Sequence, residues 1–339
     1  MLKNCLLLDM SNLMYKYLYV YSNLSIKAKK NGVLYNKPMG HIFGVVDLIS
    51  DLSVNNINTD IVIAVDGSSP RRELSDEYKD RLEFNDNYSV GENTDGRYNV
   101  HKDKKLIVKL LGCFKNVYYL YDENMEADDM IYNFVNKFKD SYEVINIVSE
   151  DRDLLVNVSD KCNQYTKIRK GSNLSNLGDE NLYNLERVKI DYFGLYGKYL
   201  VMYKDMVGDS SDNIKGYYRI PKKVAGYFAR AIKIKNGELK KNKEVIDTKY
   251  ENIVDELAEY KNEMNISDNA LTKWLEVIKE NREILLNNDK LVRPIEKEIT
   301  VKQMNMSYRE VKELARKYQM NKLIRFINWI EINGEDFEE

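Results

Sequence analysis

Apolar runs that end in an acid recur along the chain. Leu6 to Asp9, Ile61 to Asp66 and Val144 to Asp151 each read as a buried strand with a carboxylate at its C-terminal end. Val117 to Tyr121 adds another strand just before Glu126. Between these runs the apolar positions change to helical spacing over Gly40 to Leu52 and Lys104 to Phe114, and Ala127, Met130, Ile131, Phe134, Val135 and Phe138 form a third helical stripe. Strands that alternate with helices predict an α/β fold around a parallel sheet. Parallel strands share one C-terminal edge, where open α/β sheets place their ligands. Asp9, Asp66, the run Glu126-Ala127-Asp128-Asp129 and the pair Asp151/Asp153 are therefore expected to meet there. Taken singly, each acid could equally be a helix cap or a turn residue.

The second half of the chain reads mostly as helix. Leu271, Trp274, Leu275, Ile278 and Leu285 read as one stripe, and Val311, Leu314, Ala315 and Tyr318 as another, which starts at the capping box Ser307-Tyr308-Arg309-Glu310.

A length of 339 residues permits one large domain or two, and a net charge of -2 announces no global affinity for a polyanion. Any such site must be local. No apolar run approaches a membrane span and no signal-peptide pattern opens the chain, so a soluble cytoplasmic protein is expected. Cys5, Cys113 and Cys162 show no paired metal spacing, and only His41 and His101 are histidines. Candidate chemistry therefore rests on carboxylates. Carboxylates crowded within roughly 4 to 6 Å repel one another, and divalent cations remove that cost. Oxygen-only ligation favours Mg²⁺ or Mn²⁺, and two such ions could activate a water and stabilise the leaving oxygen of a phosphodiester.

Two stretches carry the complementary charge. Between Gly67 and Asp103 lies a long connection whose first half interleaves Arg71, Arg72, Lys79 and Arg81 with Tyr78 and Phe84, a composition suited to a single strand. From Lys215 to Lys243 ten cations face one acid, Glu238, which is a local footprint for a phosphate backbone.

Gly208-Asp209-Ser210-Ser211-Asp212-Asn213-Ile214-Lys215-Gly216, followed by Lys222-Lys223-Val224-Ala225, resembles a motif of the 5′-nuclease family, which includes flap endonucleases, the 5′-nuclease domain of bacterial DNA polymerases, and phage 5′ exonucleases and ribonucleases H. Asp9-Met10-Ser11-Asn12-Leu13 with Lys16, Val65-Asp66-Gly67 with the basic stretch after it, Glu126 to Asp129 and Ser149 to Leu155 are similar to the family's other motifs, in the same order. The resemblance implies a PIN-like parallel-sheet nuclease core over 1–184 with a helical arch at about 71–103, then a helical DNA-binding region over 185–339 with a helix-three-turn-helix element at about 206–232. It implies that Asp9, Asp66, Glu126 and Asp128 hold one metal ion, and that Asp129, Asp151, Asp153, Asp209 and Asp212 serve a second, directly or through water. Lys79 and Arg81 would steer the scissile phosphate from the arch. Lys16, Arg71, Tyr78, Lys215, Arg219, Lys222 and Lys223 would contact DNA.

There are departures from the family pattern. Met10 and Lys16 stand where it usually has Gly and Arg. Arg219 and Pro221 take the places of two glycines that often accompany a bound K⁺, and proline lacks an N–H, which argues against K⁺ here; some phage ribonucleases H also lack these glycines, so the resemblance tilts toward that branch. The implied activity is a Mg²⁺-dependent structure-specific 5′-nuclease, with Mn²⁺ able to substitute. It would act as 5′-3′ exonuclease, flap endonuclease and ribonuclease H in phage-type replication and primer removal, in the host cytoplasm. Branched or 5′-ended duplex DNA and RNA–DNA hybrids are the implied substrates, with a single-strand-binding protein or clamp as a partner for a monomeric enzyme. A catalytically silent branched-DNA-binding protein on the same fold and a PIN-like ribonuclease for structured RNA are the alternatives.

Overall fold

The computed structural model describes residues 3–30, 33–75, 78, 88–89, 97–98, 100–168, 171, 181–197, 199–236 and 264–333. The first part runs β1 (Asn4–Asp9), α1 (Met10–Val20), β2 (Ser25–Lys30), β3 (Val33–Pro38), α2 (Gly40–Asn55) and β4 (Thr59–Ala64). Short strands β5 (Tyr88–Ser89) and β6 (Arg97–Tyr98) precede α3 (Lys104–Leu110), β7 (Val117–Leu120), α4 (Ala127–Phe138), β8 (Ile145–Val148), β9 (Cys162–Tyr165) and β10 (Leu182–Tyr183). Helices then dominate. They are α5 (Leu185–Asp191), α6 (Tyr199–Val207), α7 (Lys222–Asn236), α8 (Asp268–Glu280), α9 (Arg282–Val292), α10 (Tyr308–Lys317) and α11 (Asn321–Asn333). The hairpin β11 (Gly208–Asp209) and β12 (Ile214–Lys215) joins α6 to α7, and β13 (Val301–Lys302) precedes α10.

The sheet order is β10-β9-β8-β1-β4-β7-β13, with β9, β8, β1, β4 and β7 parallel and the two edge strands antiparallel. This is the parallel-dominated α/β core expected from the acid-terminated runs. Register explains their convergence: Leu8 lies level with Ile63 on one side and Val148 on the other, so the acids that follow leave the sheet at one edge.

Alternation along the strands builds two apolar layers. Leu6, Leu8, Ile61 and Ile63 pack with α1, α2 and α3, whereas Cys5, Leu7, Val62 and Ala64 pack with α4. A third core joins α6, α7, α8 and α9 through Met202, Met206, Phe228, Leu271 and Leu285. Residues Val311, Ala315, Leu323 and Ile327 of α10 and α11 return to the first layer, so the chain's C-terminal helices cover the sheet.

One stripe differs from its sequence reading. Leu285 belongs to α9 and not to the helix that carries Leu271 and Ile278, because α8 ends at Glu280 and the chain turns at Asn281. The capping box at Ser307 and Glu310 is formed as expected.

Candidate metal centre and nucleic-acid cleft

A cleft of about 950 Å³ opens at the C-terminal edge of the sheet, and Asp9, Asp66, Glu126, Asp128, Asp151 and Asp212 all line it. Each is placed by a short local device. Asp9 ends β1 and caps α1 by accepting from the Asn12 N–H at 3.0 Å. Asp66 follows β4 and accepts from the Ser11 hydroxyl and, at 3.0 Å, from the Ala127 N–H, which ties it to the start of α4. Glu126 is the N-cap of α4 and Asp128 lies in its first turn. Asp151 caps the 3₁₀ turn that follows β8, accepting from the Asp153 N–H at 2.9 Å.

Asp209 and Asp212 come from the hairpin after α6. Gly208 has φ +74°, and a Cβ there would lie 2.3 Å from the Gly216 nitrogen. Only glycine fits such a contact with that backbone. The two glycines that bracket the acids therefore close the hairpin, which places Asp212 on the cleft and Asp209 beside Lys204.

Electrostatics sorts the acids. Burial pushes the Asp9 carboxyl up to about 7, and the Asp66 charge adds to the rise. Burial opposes ionisation of Asp66 too, but Lys104, Ser11 and Ala127 outweigh it and hold its carboxyl below the usual range. The Lys104 Nζ lies 3.4 Å from Asp66 Oδ2. Burial raises Asp153 to about 7 despite the ion pair with Lys204. Lys204 also lies 3.3 Å from Asp209, whose carboxyl is held low, against burial, by Ser211 and Lys204. Sequence reading missed Lys104 and Lys204, since a lysine on a helix is ordinarily a solvated face residue.

Arg71 and Asp129 pair with each other at the start of α4. Arg71 is buried, with Nη1 at 2.6 Å from Glu126 and 2.8 Å from Asp129, and Nη2 at 2.7 Å from Asp129. Asp129 also accepts from the Ile295 N–H at 2.8 Å. Asp129 lines a smaller pocket that shares Glu126, Asp128 and Asp212 with the cleft. Tyr78 is likewise buried, and its hydroxyl spans Glu126 at 3.3 Å and Asp212 at 3.4 Å, linking acids from the two halves of the chain.

Lys16 lies 3.9 Å from Glu150. Lys215, Arg219, Lys222 and Lys223 are exposed around the start of α7, with the Arg219 guanidinium 4.8 Å from the Tyr218 ring centre. Lys79 and Arg81 lie outside the described residues, as does most of the region from 76 to 99 assigned to an arch.

As placed, no three His, Cys, Asp or Glu side chains among the described residues close around a single ion position. The donors nevertheless fit a hard divalent cation. They are all carboxylate oxygens, six of them line one cleft, and burial, followed by the Asp66 charge, opposes ionisation of Asp9, a cost that a cation would relieve.

A family model described as "5'-3' exonuclease, N-terminal resolvase-like domain" matches residues 4–189. A 5'-3' exonuclease from Buchnera aphidicola is 25% identical over 228 residues, which cover 66% of this chain and 68% of that protein. A DNA polymerase I from Caldicellulosiruptor bescii is 33% identical over 193 residues, 56% of this chain but only 21% of the polymerase. Among solved structures, a T5 5'-exonuclease with bound zinc aligns with TM-score 0.55 and 17% identity, covering 97% of this chain and 98% of that one. The bacteriophage T5 flap endonuclease in a complex with DNA and metal ions aligns with TM-score 0.53 and 16% identity, covering 98% and 100%. Those two likenesses establish the fold. With a family match spanning more than half of its length, the chain belongs to the 5′-3′ exonuclease family.

Proposed function

We propose that the chain is a divalent-metal-dependent, structure-specific 5′-nuclease that hydrolyses DNA from 5′ ends and flaps and RNA in RNA–DNA hybrids, as primer removal in phage-type replication requires. The observation that carries this reading is the composition of one cleft. Six carboxylates from both halves of the chain line it together with Arg72, Lys102 and Lys104. Acids alone would repel a phosphodiester and lysines alone would bind it without cleaving it. Their juxtaposition supports hydrolysis of a bound phosphodiester.

Mg²⁺ held by Asp9, Asp66, Glu126, Asp128, Asp151 and the Asp209/Asp212 hairpin would supply water activation and charge neutralisation at the leaving oxygen. The protein's own groups do the rest. Lys104 keeps Asp66 ionised, and Ser211 with Lys204 does the same for Asp209. Tyr78 and Arg71 hold Glu126 in place. Lys215, Arg219, Lys222 and Lys223 surround the start of α7, where duplex phosphates would pair with them. Lys79 and Arg81 are proposed to steer the scissile phosphate. The Buchnera relative is named a 5'-3' exonuclease, which supports the 5′ polarity.

Product analysis on a 5′-labelled flap duplex, with and without an RNA segment, tests the reading. Mg²⁺-dependent release of short labelled products from both substrates is expected. Salt-sensitive binding without cleavage in Mg²⁺ or Mn²⁺ would instead favour a silent DNA-binding protein.

A further inference from the structure

The cleft does not end at the acids. One arm of it runs along α3 toward β7, lined by Lys102, Lys105, Lys109, Tyr119 and Tyr121. The arm is built by an amphipathic helix. Ile107 and Leu110 are fully buried beneath α3, whereas Lys105 and Lys109, one helical turn apart, are exposed on the cleft side with Val108 between them. Across from them Tyr119 is half-buried and Tyr121 is 44% exposed. Lys302 fixes the rim at Tyr121, donating to its carbonyl at 3.3 Å while its ammonium sits 5.9 Å from the ring centre. Among the described residues no ion pair engages Lys102, Lys105 or Lys109, in contrast to Lys104 next to them, which is paired with Asp66.

We propose that this α3–β7 arm is a single-strand groove in which Lys105 and Lys109 bind successive backbone phosphates and Tyr121, backed by Tyr119, stacks unpaired bases. The ligand class follows from the two walls. Lysines one turn apart match a run of phosphates, and exposed rings opposite them offer faces that bases reach only when unpaired. A duplex keeps its bases stacked on each other and has no use for the tyrosine wall. The groove is continuous with the acid-lined part of the same cleft, so a strand lying in it would deliver one end to Asp9, Asp66 and Asp128. The placement of that end rests on the nuclease reading above; the groove's affinity for a single strand does not.

Fluorescence anisotropy in EDTA separates the two. The probes are a duplex carrying a ten-nucleotide oligothymidine 5′ arm and the same duplex without the arm, titrated with the intact chain across a salt series. Lys105→Ala/Lys109→Ala is expected to weaken binding of the armed duplex at least tenfold and to reduce its log–log salt slope by about 1.4, two contacts at roughly 0.7 each. Binding of the armless duplex stays unchanged. Tyr121→Leu is expected to weaken the armed duplex about tenfold yet leave a duplex with an abasic arm unaffected. Equal losses with and without the arm, or an unchanged salt slope, would overturn the groove. Both lysines are exposed, so folding is not at risk, and circular dichroism confirms it. Because no step of this assay requires cleavage, failure of the nuclease activity and failure of the groove give different results.

Discussion

Arg71 and Asp129 form a buried two-pronged ion pair, with Nη1 and Nη2 at 2.8 and 2.7 Å from the two carboxylate oxygens. The same guanidinium reaches Glu126 at 2.6 Å and the carbonyl of Arg293 at 2.8 Å. One side chain thus joins the start of α4 to the chain leaving α9. Removing it would leave Asp129 buried without its counter-charge. Arg71→Ala is expected to lower unfolding free energy by about 3–5 kcal/mol. Arg71→Lys should recover only part of this, because an ammonium lacks the planar fork. Urea denaturation measures both, and a loss of less than about 0.5 kcal/mol for Arg71→Ala would contradict the role.

Asp205 offers a pH-dependent test of stability. It is buried, and burial followed by the neighbouring Asp289 pushes its carboxyl well above the usual range. The folded protein therefore retains a proton that the unfolded chain releases near about 3.9. Stability from this group is fully present below that pH and is lost as pH rises toward the folded value. Asp205→Asn should remove the loss. Its Tm relative to the parent is expected to climb between pH 5 and pH 8, and a pH-independent difference would contradict the argument.

Gly208 and Gly171 separate backbone strain from steric contact. Both have positive φ, +74° and +69°, but among the described residues a Cβ at Gly171 meets nothing within 4 Å. Gly171→Ala should cost only the conformational preference, about 1–2 kcal/mol. Gly208→Ala must also push β12 away, moving Asp209 and Asp212, and is expected to cut nuclease turnover at least tenfold. Equal effects of the two substitutions on turnover would show that the hairpin contact is unimportant.

Lys222 and Lys223 open α7 on its exposed side. If they meet duplex phosphates, changing both to alanine should flatten the salt dependence of armless-duplex binding by about 1.8 slope units, two contacts at roughly 0.9 each. An unchanged slope would place them on a solvent face.

The sheet and the gathering of acids were legible because period-two apolar runs mark strands, and parallel strands must deliver their C-terminal residues to one edge. Asp9, Asp66, Asp128 and Asp151 could be placed on that ground alone. The fate of Asp129 could not, since adjacent helical residues face different directions and only the fold brings Arg71 to one of them. Lys104 and Lys204 were hidden for a related reason: their partners Asp66 and Asp153 are 38 and 51 residues away. The tyrosine wall at Tyr119 and Tyr121 looked like an ordinary strand end, and only the position of α3 gives it a lysine-lined opposite bank.

The central claim is that the carboxylates at the sheet edge form a divalent-metal centre for phosphodiester hydrolysis. Cleavage of a 5′-labelled flap duplex in Mg²⁺ by the parent protein, Asp9→Asn and Asp151→Asn tests it most directly, with binding of the same duplex in EDTA as the control for folding. Both variants are expected to bind the duplex normally and to lose at least a hundredfold in cleavage rate. Full cleavage by either variant would contradict the assignment of that carboxylate, and full cleavage by both would remove the metal centre from the account.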